Sequence, residues 1–446
     1  MTFELRPLGD VCKTTSGGTP SRSKSEYFQG TIPWVKSGEL LDGIVVENSE
    51  YISEEAIRNS SAKLLPAGTL LVALYGATVG RLGILSRSAA TNQAVCAIFP
   101  SEVLDTKFLF WYLLSKRPWL IGQAAGGAQP NISQGIVRSL LVPVMPIQVQ
   151  HKIVAEIEKQ FSRLDEAVAN LKRVKANLKR YKASVLKDAV EGRLVPTEAE
   201  LARREGRSFE TGDQLLQRIE VEQRSAWHGK SAFKSPVSLV ASKLPDLPIG
   251  WLWAAADQVC SQITDGEHIQ PRYQDFGYPM LTAKNVRDGH VEFDNVGLIA
   301  EGDFQNCLKR CAPAEGDVLI VSVGATTGRA AIVGPAKSFA LVRSVLLLKP
   351  LIPSRYLLSV IQSSTCQTYI QRASGSTAQA HLYIKDTRSL PIPMPPLAEQ
   401  ERIVAEVDRR LSLVQGVELA VDSNLKRAQA LRQATLSNAF VGAKRS

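Results

Sequence analysis

The chain lacks any apolar run long enough to cross a bilayer. Stretches such as 140–146 and 345–348 fall far short of the roughly 20 residues a spanning helix needs. Its opening, Met1-Thr-Phe-Glu-Leu-Arg, has no charged segment followed by an apolar one, so no secretory signal is expected. Cysteine is sparse: the six, at positions 12, 96, 260, 307, 311 and 366, are scattered, which suits a reducing cytoplasm better than a disulfide framework. Cys307 and Cys311 are spaced loosely like metal ligands, but no second Cys or His pair lies near them, and two plain cysteines are the better reading. The five histidines (151, 228, 268, 290 and 381) form no His-x-x-His or His-Glu-x-x-His set. There is no Asp/Asn-Pro-Pro-Tyr/Phe methylation motif, no glycine-rich cofactor loop after a first strand, no helicase motif and no acidic nuclease cluster. These absences leave no catalytic, cofactor-binding or metal-ligating residue to nominate.

What is present is positive charge and repetition. At 446 residues, 44% hydrophobic and 22% charged, the chain has material for two or three packed domains. A net charge of +10 draws polyanions, of which nucleic acid is the commonest in a cell. Ile153-Val154-Ala155-Glu156 recurs as Ile403-Val404-Ala405-Glu406, an offset of 250 that also maps Pro143, Pro146 and Gln150 onto Pro393, Pro396 and Gln400. Leu186, Ala189 and Gly192 map likewise onto Leu436, Ala439 and Gly442. Earlier in each half the match is looser. The string from Gly76 to Arg81 recurs from Gly324 to Arg329, Gly30 to Ser37 echoes Gly277 to Lys284, and Leu8 to Cys12 echoes Ala256 to Cys260. The segments 147–192 and 397–442 agree closely while the residues between the other anchors diverge, the pattern of a duplicated binding protein whose copies read different targets.

Each divergent half reads as α+β. Short buried strands are expected at 69–75 and 317–323, each followed by a glycine loop and a second strand at 82–85 and 330–333, with amphipathic helices at 107–114 and 354–361. Proline-rich stops at 143–146 and 391–396 close each half. A long helix follows each stop. Ile157, Phe161, Leu164, Val168 and Leu171 alternate in fours and threes on the first, and Val407, Leu411, Val414, Val421 and Leu425 mark the second, with Gly416 as its weak point. One such helix cannot bury its stripe alone, so the two are expected to pack antiparallel. The segment 193–248 reads as a linker with a helix near 213–227.

The glycine loops have the spacing Gly-x-x-x-Gly-Arg, which departs from the phosphate-binding Gly-x-x-x-x-Gly-Lys pattern, and they read as tight strand-to-strand turns. Around them Tyr75, Thr78 and Arg81, with Ser322, Thr326 and Arg329, are candidate DNA contacts. Polar, glycine-bearing loops add Ser16, Gly17, Gly18, Thr19, Gln129 and Asn131 in the first half, matched by Thr264, Asp265, His268, Ser374, Ser376, Gln379 and His381 in the second. Lys36, Ser37, Asn92, Gln93, Lys284 and Asn285 complete the set. Side-chain amides pair with adenine edges, and glycines let a backbone approach closely. A loop between strands is the plain reading of any one of these segments; four at matched places point to a binding edge. The basic run Lys172, Arg173, Lys175, Lys179, Arg180, Lys182 and Lys187 reads equally as a solvated face, a phosphate contact or a partner-subunit surface. Lys175 and Lys182 fall on the seam itself and need an acid or an anion to answer them.

Taken in order, these strings resemble the specificity subunits of Type I restriction-modification systems over nearly the whole chain. The resemblance rests on Leu5-Arg-Pro-Leu-Gly-Asp-Val, Gly-Gly-Thr-Pro at 17–20, Ile32-Pro-Trp-Val, the Gly-Ala-Thr-Val-Gly-Arg loop and Thr91-Asn-Gln. It rests also on Ala189-Val-Glu-Gly-Arg-Leu, Leu215-Leu-Gln-Arg-Ile, the 244–251 string and, most specifically, Pro395-Pro-Leu-Ala-Glu-Gln-Glu-Arg-Ile-Val. The first copy departs at Ile147-Gln-Val-Gln150-His, where the family usually shows Glu-Gln, and the second lacks Asn-Gln near Leu341-Val-Arg-Ser. The resemblance implies two α/β target-recognition domains, 1–146 and 249–396, separated by an antiparallel coiled coil of the helices 147–192 and 397–446, with 193–248 as central linker. It implies that each domain reads half of a bipartite, asymmetric site in double-stranded DNA, with the helices setting the spacer between halves. It further implies cytoplasmic modification (methyltransferase) subunits that carry S-adenosylmethionine and methylate adenine. Restriction (translocase and endonuclease) subunits would use ATP and Mg, while this chain binds no cofactor, enters no membrane and catalyses nothing. The alternative, from another class, is a recognition or coiled-coil scaffold subunit of a different nucleic-acid-processing complex. The purified chain alone is accordingly expected to show no methyltransferase, nuclease or ATPase turnover; sustained activity from contaminant-free protein, assayed on plasmid DNA, contradicts this reading.

Overall fold

In the computed structural model, the described residues are 4–124, 130–225, 227, 235–239, 244–269, 272–335, 338–375 and 380–440. They form two compact units, residues 1–173 with 421–446, and residues 174–420. The boundaries run through both long helices, so each unit owns part of each. This grouping differs from a division by sequence segment, because the end of the second helix packs on the first globular half.

The first unit is built around the strand Leu70–Ala73, buried at every residue. Side chains of a strand alternate between faces. Leu70 and Val72 enter a core with Phe108, Val154, Ile157 and Phe161, whereas Leu71 and Ala73 enter one with Val35, Leu40 and Val95. The five-stranded sheet runs Thr14–Ser16, Val95–Ile98, Leu70–Ala73, Leu82–Leu85, Gly43–Val45, and a three-stranded sheet runs Glu50–Ile52, Ile32–Val35, Ala90–Thr91. The helix Thr106–Ser115 starts at an N-cap, Asp105, whose carboxylate accepts from the Phe108 amide at 2.8 Å.

The second unit repeats the plan. Val318–Val321 is buried throughout, with Val318 and Ile320 facing one core and Leu319 and Val321 another. Its sheet runs Cys260–Asp265, Val345–Pro350, Val318–Val321, Ala330–Ile332, and a second runs Tyr273–Gln274, Gly297–Ile299, Tyr278–Leu281, Ala340–Leu341. Both glycine loops are the tight turns expected: Gly76, Gly80, Gly324 and Gly328 all take positive φ, 66°, 77°, 87° and 89°, a conformation other residues avoid.

The proline-rich stops are strands. Leu141–Val144 pairs antiparallel with Glu4–Pro7, and Pro391–Met394 with Leu252–Ala255. Each is a two-stranded ribbon, and Pro391 and Pro393 are two residues apart, so their missing N–H groups fall on one side, where no ladder partner waits. The segment expected as a linker is packed over much of its length. Helices Glu198–Glu205 and Gly212–Ser225 lie within it, and Leu194, Leu215 and Ile219 join the same core as Val185, Ala189, Ile403 and Val407.

The long helices are Ile147–Val190 and Leu397–Ala439, of 44 and 43 residues. At 1.5 Å per residue each is about 65 Å long. Ile157, Phe161 and Val407, Val414, Val421 are buried, and Leu164, Val168, Leu171, Leu411 and Leu425 half-buried, as a shared seam requires. In the second unit the pairing is antiparallel: Lys182 meets Glu418 at 2.7 Å, while later in the chain the Pro196 carbonyl meets Arg402. Glu418 thus answers the seam lysine. Gly416 lies on the exposed face and leaves the seam intact. In the first unit Arg432 pairs with Asp165 over the Phe161 ring, and Phe440 packs edge-on against Phe108 and Tyr112 at 5.6 and 5.2 Å. Phe440→Ala removes this aromatic anchor and is expected to destabilise the first unit by about 3 kcal/mol, read as a lowered unfolding midpoint in urea.

Candidate nucleic-acid interface

Each unit presents one edge where loops converge, and backbone hydrogen bonds build both edges alike. In the first unit Gly17 N donates to Val95 O at 3.0 Å and Gly18 N to Thr91 O at 2.9 Å; in the second, Gly266 N donates to Val345 O at 3.1 Å and Glu267 N to Leu341 O at 2.7 Å. Asn92 N to Val35 O has its counterpart in Val342 N to Leu281 O, both 3.1 Å. Gly76 N to Pro130 O and Ile132 N to Leu74 O recur as Gly324 N to Ala380 O and Leu382 N to Ser322 O. Gly17 and Gly266 share a further constraint. A Cβ at Gly17 would stand 2.1 Å from Asn92 O, and one at Gly266 2.2 Å from Leu341 O. No side chain fits at either place, since backbone lies there.

The side chains on these frames differ. In the first unit Thr19 bonds Gln93, Ser16 Oγ donates to Gln134 Oε1 at 2.9 Å, and Gln134 Nε2 reaches Thr14 Oγ1 at 2.7 Å. Lys36 holds Glu50 at 2.8 Å, and Arg22, stacked over Phe28 and Trp34, holds the same carboxylate, so both cations keep Glu50 below the usual carboxylate range. Tyr75 is exposed and bridges exposed Asn131, Thr78 closes its turn on Tyr75 O at 2.9 Å, and Arg81 and Ser37 are half-buried. The carboxamide oxygen of Asn92 is buried without a partner among the described residues.

In the second unit Asp265 accepts from Arg310 and contacts His268 Nε2 at 2.8 Å. Burial pushes the Asp265 carboxyl up, but the bonds from Arg310 and His268 outweigh it and hold it low. A carboxyl depressed on folding adds stability above its unfolded value, near pH 4, and loses it as pH falls through the folded value. Arg287 is held by Glu292 at 2.7 Å, and Arg329 lies 3.8 Å from Asp288. Lys284 is exposed, Thr326 half-buried, Ser374 Oγ turns back to Gln371 O, and His381 stacks edge-on against Tyr383 at 4.1 Å.

Three candidates have other duties. Asn285 is 5% exposed and its side-chain oxygen accepts from Thr282 N at 3.0 Å, bracing a turn. Ser322 is 1% exposed and spends its hydroxyl on Arg343 O. Thr264 sits within the strand Cys260–Asp265, its hydroxyl turned to Asp265 O. Burial removes the first two from any base edge. Gln129, Ser376 and Gln379 lie outside the described residues. Sequence reading missed Arg22, Arg310 and Arg343; Arg310 ends a helix far along the chain, and only the fold brings it to Asp265.

The sequence model of the Type I restriction modification DNA specificity domain matches residues 1–180 and 266–412. The chain belongs to that family. It is a Type I restriction-modification specificity subunit. It is 24% identical over 449 residues to the EcoBI specificity subunit of Escherichia coli, covering 98% of this chain and 85% of that one. The EcoR124I/EcoR124II specificity subunit of Escherichia coli is 29% identical over 171 residues, 37% of this chain and 42% of the relative. A solved chain from work on complex assembly and conformational transition of the type I R-M system has the same fold, with a TM-score of 0.66 at 21% identity over 98% of this chain and 97% of that one. No helix among the described residues is long and apolar enough to cross a membrane.

The close approach at Gly266 has a direct test. Gly266→Ala drives a methyl into the Leu341 carbonyl and is expected to cost about 1–3 kcal/mol. Thermal melting should show the loss, while the exposed variant Gly302→Ala, in the first turn of the helix Glu301–Arg310 with nothing within 4 Å of its Cβ, leaves melting unchanged or slightly raised.

Proposed function

We propose that this chain gives a Type I complex its DNA address, each unit reading one half of a bipartite, asymmetric duplex site. The observation that carries this is the pair of loop edges with the same backbone bonds and different side chains: Thr19, Asn92 and Gln93 on one, His268, Val342 and Arg343 on the other. An identical frame with divergent side chains is what two readers of different sequence need, because direct readout depends on which donors and acceptors face the base edges. The basic balance of +10 supplies the sequence-independent attraction to phosphate.

On this reading modification subunits carry S-adenosylmethionine and methylate adenine, and restriction subunits supply ATP- and Mg-dependent translocation and cleavage, all in the cytoplasm. The specificity chain contributes no reacting group. Its paired helices offer the repeated surface on which two copies of a partner subunit could be placed alike.

Exchanging residues 1–145 for the first half of a relative with a known target tests the division of labour. Sequencing the methylated sites of a host that expresses the hybrid with its modification subunits should show one half of the site changed and the other kept. If both halves change together, the two units do not read independently.

A further inference from the structure

The hydrogen-bond frames align the two edges residue by residue, and that alignment singles out Arg343. Val95 N to Asn92 O at 3.2 Å corresponds to Val345 N to Val342 O at 3.0 Å, and Leu74 N to Ala94 O at 2.8 Å to Ser322 N to Ser344 O at 2.9 Å. Between these fixed points Gln93 and Arg343 occupy the same place, and both side chains are exposed. The offset is again 250.

Arg343 differs from its neighbours in having no acid. Arg310 is held by Asp265, Arg287 by Glu292 and Arg329 faces Asp288. Among the described residues no carboxylate pairs with Arg343. Its backbone, by contrast, is tied down: the amide donates to Glu267 O at 2.9 Å and the carbonyl accepts from the buried Ser322 hydroxyl at 3.3 Å. A free guanidinium on a fixed Cα, at the centre of a loop edge, is the arrangement a planar two-donor contact requires.

We propose that Arg343 is a specificity-determining residue of the second unit and reads a guanine through O6 and N7 in the major groove. This rests on the function proposed above. Gln93, at the same place in the first unit, carries an amide, whose matching base is adenine. The two halves of the target then differ at the equivalent position because an amide in one copy stands where a guanidinium stands in the other. A lysine cannot replace the arginine in this role, since it offers a point charge without the two-pronged fork.

The experiment is a selection from a pool of random-sequence duplexes with the full chain and its modification subunits, comparing wild type with Arg343→Gln and Arg343→Lys. Wild type should enrich a two-part motif with an invariant guanine in one half. Arg343→Gln should lose that guanine preference by roughly ten- to hundredfold, or exchange it for adenine, with every other position kept. Arg343→Lys should relax the same position despite keeping its charge. Melting temperatures should not move, because the side chain is exposed. If both variants keep the motif and only weaken binding uniformly, with the salt dependence reduced by about one phosphate contact, Arg343 grips the backbone and the proposal is overturned. A wild-type chain that enriches no motif at all overturns the proposed function with it, whereas an intact motif unaffected by the variants overturns Arg343 alone.

Discussion

A helix of more than forty residues carries an apolar stripe that it cannot cover by itself, and in this chain two such stripes must be covered at once. The ends are covered by globular cores. Val154, Ile157 and Phe161 lie under the first sheet with Leu436 and Phe440, and Val185, Ala189, Ile403 and Val407 lie under the second. Elsewhere within each unit the helices rely on each other along a seam that mixes half-buried Val168, Leu171 and Leu425 with buried Val421 in the first, and half-buried Leu178 with buried Val414 in the second. Charge supplements it where apolar residues run out, as Lys182 with Glu418 shows. Removing the second helix would therefore uncover both cores, although it follows them in sequence.

The same dependence explains the packed segment after the first helix. Glu198, 4% exposed, is gripped by Arg207 and Arg402, and its backbone amide donates to Glu399, itself fully buried. Burial raises the Glu399 carboxyl, whereas at Glu198 burial is outweighed by the two guanidinium groups. The first repeat has Val149 where the second has Glu399; its Gln150 donates to Met145 O as Gln400 does to Pro395 O, and in addition accepts from the Asp105 amide. The departure from Glu-Gln in the first copy marks a site that holds no such partner segment among the described residues.

Much of the fold was legible in the sequence. The central strands, the glycine turns, the helices after them and the long seams follow from alternation, glycine spacing and heptads, all of them local signals. The proline ribbons were hidden because proline usually ends a strand, and only pairing with Glu4–Pro7 and Leu252–Ala255 shows that their missing amides face outward. The site was legible by region and not by residue. Spacing located the loops and set Leu341-Val-Arg against Thr91-Asn-Gln, but it could not show that Asn285 and Ser322 are buried, nor that the same backbone bonds frame Gln93 and Arg343, because burial and those bonds exist only in the folded chain.

The framing of each edge by backbone bonds has an evolutionary consequence. Gly17 and Gly266 press main chain against main chain, so the loop shapes owe little to the exposed side chains beside them. Replacing an exposed residue such as Gln93 or Arg343 then changes stability by roughly half a kcal/mol or less, well inside the margin of an ordinary domain. A new target can thus be tried without risking the fold. In a host whose invaders change their sequences under selection, such a surface can drift through many alternatives while each intermediate stays folded and able to assemble.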